Sequence, residues 1–296
     1  MIELAEMVPY AAAAELASLL LFARANLAWR SKGMRRYPLA MLWIRAVVAV
    51  SILLCGGFLM DFGLPSVAKG FAQALPAFLL GMYGGIGLIV FAISLNRMPA
   101  QLVFFGGSIH LIFGTVIGGL ALDEEISRLT IGIIVILFIG QLFVIWQDRK
   151  TWASISPWRR ILPFLVGFIW GTYFPVYGYL QKDIGLWDTL VITEFGVFSI
   201  ISLAFLSQIK SQVAGLRSLG HFKVMSLQAV LSILAQGFTA LCISWGGVVL
   251  HSILTNFSSL INVTAFRYRF QEKFDFRYLY FFIVYGVLMG LLTFFS

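Results

Sequence analysis

Apolar residues in this chain run in long blocks, not in the alternating or one-faced patterns of soluble strands and helices. Ten blocks, bounded by charges, Pro or Gly, fall at about 8–29, 37–60, 71–94, 99–120, 129–147, 161–181, 187–207, 222–245, 248–266 and 276–295. Roughly 20 apolar residues carry a helix across the hydrocarbon core of a bilayer, so the pattern predicts ten transmembrane helices joined by short loops. Pro9, Pro38, Pro99 and Pro163 sit near block starts, where a helix tolerates a residue without an N–H. Pro175 lies inside the sixth block and predicts a kink there. Glycines four apart (Gly81/Gly85, Gly114/Gly118, Gly167/Gly171, Gly286/Gly290) predict close helix crossings.

Composition sharpens the class. Of 296 residues, 60% are hydrophobic and 11% charged, with a mean hydropathy of +0.93; a soluble domain carries about 25% charged residues. The expectation is an all-α membrane protein with no separate soluble domain. A net charge of +8 would suggest nucleic acid for a soluble chain. Here it reads as basic loops facing anionic lipid, and no nucleic-acid partner is expected. Of the Lys and Arg residues, 16 fall in odd-numbered loops or their flanks and three in even-numbered ones. By the positive-inside rule the odd loops are cytoplasmic and both termini external. No basic region precedes the first block, so that helix is expected to be retained. Cys55 and Cys242 lie inside apolar blocks without metal-ligand spacing.

The chain divides near residue 155 into two five-helix halves, 1–155 and 156–296, forming one transmembrane domain. Ala92-Ile93-Ser94 through Glu124 matches Cys242-Ile243-Ser244 through Glu272, and Trp43-Ile44-Arg45 matches Ile192-Thr193-Glu194. Because five is odd, the second half enters from the opposite side. Such inverted-topology repeats are typical of secondary transporters with a site between the halves.

Phe168-Ile169-Trp170-Gly171-Thr172 opens the second half with an apolar–Trp-Gly–small pattern. Residues 98–146 run from Met98-Pro99-Ala100 through a Gly-rich helix to Leu122-Asp123-Glu124, then Ile131-Gly132 and an apolar run. With Arg45 in the second helix, the chain resembles the ten-helix, EamA-like members of the drug/metabolite transporter superfamily. The resemblance implies metabolite export by alternating access in a bacterial inner membrane. It departs in the first helix, where Glu15-Leu16-Ala17-Ser18 replaces the Trp-Gly pair. It departs also in orientation, since the family is commonly drawn with cytoplasmic termini.

Charges inside a bilayer are costly and usually line a cavity. Glu15 and Glu194, each about two turns into its helix, could bind a proton or a cationic substrate. Glu15 is similar in placement to the first-helix glutamate of the related small multidrug-resistance proteins. Arg45 could hold an anion or pair with one of the glutamates. His110, flanked by Gly106, Gly107 and Ser108, and His251 could hold a proton or substrate. Asn256 could complete a polar site; Trp170 and Tyr173 could face a cation. Asp123, Glu124 and Glu125 are expected to cap helices or face water. No nucleophile, phosphate-loop or dinucleotide motif is present, and no enzyme activity, metal or cofactor is expected. The expected partners are a small-molecule substrate, protons and the bilayer, in a monomer or homodimer. Three functions stay open. One is a transporter of a small polar metabolite, amino-acid-like or an organic cation, coupled to protons in one version. The others are a carrier of an anion such as a nucleotide-linked sugar, and a non-transporting membrane enzyme or assembly subunit.

Overall fold

The computed structural model describes residues 2–59, 71–122, 124, 126–147, 149–271 and 284, and its elements there are all helical. The ten principal helices are α1 (Ile2–Asn26), α2 (Pro38–Leu59), α3 (Phe71–Arg97), α4 (Ala100–Gly107), α5 (His110–Leu122), α6 (Arg128–Gln147), α7 (Pro157–Ile184), α8 (Leu186–Ser207), α9 (Leu219–Thr255) and α10 (Phe257–Phe270).

Seven helical segments among the described residues are long and apolar enough to cross a membrane. They correspond to the expected blocks one to four and six to eight. The fifth is a helix, Arg128–Gln147, whose apolar stretch Arg128–Phe143 is shorter than a full span. The tenth, 276–295, lies outside the described residues, as does the Gly286/Gly290 pair. The eighth and ninth blocks are merged and re-divided. Helix α9 runs through both as far as Thr255, with Gly247 alone in a non-helical conformation (φ 81°, ψ 172°). The expected boundary between 245 and 248 thus falls on a glycine because the chain there takes a positive φ, which a side chain disfavours. Pro175 is contained within the continuous helix α7.

Two blocks break where continuity was expected. The fourth divides into α4 and α5 around Ser108, and the ninth divides at Asn256. The breaks meet: Ser108 Oγ is 3.1 Å from Ser259 Oγ, and Ser259 Oγ donates to the Phe104 carbonyl at 3.0 Å. The Phe104 carbonyl already accepts the Ser108 N–H, so the Ser259 hydroxyl is a second donor that ties the two breaks together.

The most extensive packing joins the first half of the chain to the second. Helix α1 lies on α9, α3 on α7 and α8, α2 on α8 and α9, α5 on α7 and α9, and α4 on α7 and α10. The described residues of 1–155 and of 156–296 are therefore interleaved, not side by side. Glycines permit the closest crossings. A Cβ at Gly81 would strike the Thr193 carbonyl, one at Gly196 the Phe78 carbonyl, and one at Gly167 the Gly107 carbonyl. Gly81 and Gly167 thus meet backbone directly, whereas Gly114 and Gly118 are met first by the side chains of Ser252 and Val248.

Replacing Gly81 by Val should collapse the melting transition of the detergent-purified chain, since the added methyls meet backbone that cannot move aside. Gly132→Val, where nothing lies within 4 Å, should leave it within a few degrees. Equal effects of the two would contradict the crossing.

Candidate functional site

A cavity of about 180 Å³ lies among α1, α2, α3, α7, α8, α9 and α10, with the α4–α5 junction on one wall. Of the candidates named from the sequence, Glu15, Arg45, His110, Trp170, Tyr173, Glu194 and His251 all line it. Asn256 does not. It is fully buried and spent on structure, accepting from Gln141 Nε2 and donating to the Ser252 carbonyl at 3.1 Å. Its amide closes the α9–α10 break instead of facing a solute.

Three side chains form the first group on the wall. Glu15, 1% exposed, is carried by α1, which packs along α9. One carboxylate oxygen lies 3.0 Å from His251 Nδ1 and the other accepts from Thr255 Oγ1 at 2.9 Å. The imidazole edge meets the Phe174 ring, with centroids 4.4 Å apart. A carboxylate and an imidazole in contact can share, hold or release one proton without leaving either group unpaired. Cys242 Sγ completes a cluster whose donor atoms lie within 4.8 Å of one another. Two of its three donors, the Glu15 carboxylate and the His251 ring, are hydrogen-bonded to each other.

The second group is an ion pair. Arg45 Nη1 and Nη2 reach the two oxygens of Glu194 at 2.5 and 3.0 Å, both side chains being 3% exposed. The bidentate fork consumes the guanidinium edge that would otherwise grip a carboxylate or phosphate. Of the roles open to Arg45, pairing is the one the structure displays.

The rest of the wall comes from helical stripes. Trp170, Tyr173, Phe174 and Tyr177 follow i, i+3, i+4, i+7 spacing on α7 and stack on one another, Trp170 on Phe174 with centroids at 6.0 Å and Tyr173 on Tyr177 at 5.8 Å. Gln228, Ser232 and Gln236 follow i, i+4, i+8 spacing on α9, with Thr239 beyond them. Phe174, Tyr177, Ser232 and Thr255 were not singled out as site residues from the sequence. The helical spacing of both stripes is the signal that could have found them, although apolar packing faces share it.

Glu124 takes a part that the sequence only outlined. Its carboxylate accepts from the backbone N–H of Val248 and of Val249, each at 2.8 Å. It caps a helix, as a loop acid can, but one in the opposite half of the chain. The capped segment, Val248–Thr255, begins at the Gly247 break and carries His251 and Thr255 to Glu15. A Cβ at Gly247 would lie 2.9 Å from the Glu124 carboxyl group, so close approach and positive φ both call for glycine. The side chains of Asp123 and Glu125 lie outside the described residues.

No family model matches the sequence, and no curated protein matches it. Among solved structures, 23 chains match. One, titled "Crystal structure of protein", superposes with a TM-score of 0.67 over 90% of this chain and 91% of its own, at 12% identity. This shows a shared fold.

Truncating one partner of the buried pair should cost far more than removing both. Arg45→Met alone should destabilise by about 3–5 kcal/mol, because it strands a buried carboxylate. Arg45→Met with Glu194→Leu should recover most of that loss in thermal unfolding of the purified chain; additive losses would speak against the pair. Glu124→Ala should cost about 1–2 kcal/mol as a lost cap. Gly247→Ala should cost about 1–3 kcal/mol more even on the Glu124→Ala background, because the positive φ strains any side chain there whether or not the carboxylate is present.

Proposed function

We propose that the chain is a secondary transporter that carries a small organic cation through the bundle, exchanging it for a proton held at Glu15. The observation that carries this reading is the charge balance of the cavity. Two carboxylates, Glu15 and Glu194, face one guanidinium, Arg45, and Arg45 is committed to Glu194. That leaves Glu15 with no arginine or lysine of its own on the wall, and with His251 as its ring partner. An uncompensated carboxylate in an apolar bundle is costly, and either a proton or a cationic solute removes that cost. One site that serves both in turn is the minimal requirement for exchange.

Further observations support transport by alternating access. Among the described residues, the main contacts between the halves pair off when a block in the first half is exchanged for its counterpart five blocks on. α1–α9 answers α3–α7, and α3–α8 answers α2–α9. This is the arrangement an inverted five-plus-five repeat produces, and broken helices meeting at a polar centre are its usual companion. The ten-helix count, the external termini and the EamA-like assignment are part of this reading. The anion-carrier alternative fits less well. Arg45 is occupied, and about 180 Å³ is small beside the roughly 300–1,000 Å³ of pockets for drug-sized ligands.

In proteoliposomes, an inside-to-outside pH difference should drive counterflow of a small organic cation, and Glu15→Gln should abolish the dependence on the gradient. Glu194→Gln should instead reduce folded protein, since it unpairs Arg45. Gradient-independent flux in the wild-type chain would remove proton exchange. Absence of flux for any cation would favour the enzyme or assembly-subunit reading.

A further inference from the structure

The cavity wall carries polar atoms that no described residue satisfies. On side chains more than nine-tenths buried these are Arg45 Nε, His110 Nε2, Tyr177 Oη and Gln228 Oε1, and Gln236 Oε1 joins them from a half-buried side chain. Such atoms elsewhere in a protein interior are nearly always paired, and five of them on residues that line one cavity mark a place where a ligand can supply partners.

The polarity of the set can be worked out. His110 Nδ1 lies 3.2 Å from the Gly107 carbonyl. A carbonyl only accepts, so Nδ1 holds the proton and Nε2 presents a bare lone pair. Gln228 Nε2 donates to Ser232 Oγ at 2.8 Å, which leaves its Oε1 as an acceptor, and Gln236 Oε1 is another. Among the unsatisfied atoms of the cavity-lining residues there are therefore three acceptors, one fixed donor, Arg45 Nε, and one hydroxyl that can play either part. The aromatic stripe Trp170–Tyr177 supplies ring faces and apolar area beside them.

The geometry points to a protonated primary amine with a single-ring or similarly small apolar body as the solute, recognised through its N–H groups and not through charge alone. This rests on reading the cavity as the solute site. An ammonium brings three donors to an acceptor-rich wall and one positive charge to Glu15. A quaternary ammonium brings the charge without a donor and leaves the acceptors buried and unmet. A carboxylate brings acceptors to acceptors.

The test compares three single-ring probes on the purified full-length chain in lipid nanodiscs: phenethylamine, its N,N,N-trimethyl analogue and phenylacetate. Binding is read by calorimetry. Phenethylamine should bind at least about tenfold more tightly than the trimethyl compound, a difference of roughly 1.4 kcal/mol. A wall that sensed only charge and apolar area would give the reverse order, because the trimethyl compound sheds water more easily. Gln228→Leu and His110→Phe should each shrink the ratio by weakening the amine alone. Should either variant fail to fold, the wild-type ratio still decides the matter. Equal or tighter binding of the trimethyl compound overturns the N–H inference while leaving cation transport standing. Tighter binding of phenylacetate, or no binding by either cation, overturns both.

Discussion

Burying two carboxylates inside an apolar bundle is the constraint on which the central architecture depends. Glu194 meets it with Arg45, through a two-pronged contact between helices α2 and α8. Glu15 meets it with the His251 ring and the Thr255 hydroxyl, both on one turn of α9. Water would solvate either carboxylate at little cost, but a bundle interior does not, so each must be served by a neighbouring helix. Helix α9 has to bring His251 and Thr255 to Glu15, and α2 has to face α8.

That demand explains the irregular backbone. An unbroken helix through blocks eight and nine would leave the segment carrying His251 on a different axis. Gly247 interrupts it, and the freed N–H groups of Val248 and Val249 are taken up by Glu124 from the other half of the chain. A carboxylate at the start of a helical segment also lies at the favourable end of the backbone dipole. The second break, at Asn256, is closed by amide and hydroxyl contacts to Gln141, Ser252 and, through Ser259, to α4. Polar residues in the bundle thus divide into two kinds. Asn256, Ser108 and Ser259 tie the breaks together, whereas Glu15, His110, Gln228 and their neighbours face the cavity.

The same division separates what could and could not be read along the chain. Cost made the charged candidates conspicuous: Glu15, Arg45, Glu194 and the two histidines stand out because ionisable groups in apolar blocks are expensive, and all of them reach the cavity wall. Asn256 was misplaced because a neutral amide is cheap enough to serve as packing, and nothing in its neighbours along the chain distinguishes the two uses. Tyr177 and Phe174 were hidden by abundance, since aromatics make up 16% of the sequence.

The sequence by itself determined that the chain is helical and suited to lipid, since block length and hydropathy are local properties governed by backbone hydrogen bonding in an apolar solvent. It also marked the glycines at the crossings and the costly charges. Only the tertiary structure decided which charge pairs with which, that Glu124 caps a helix across the halves, and that two blocks break where they meet. Those are relations between residues more than 100 positions apart. They depend on which helices lie side by side, and the hydropathy of a single helix carries no record of its neighbours.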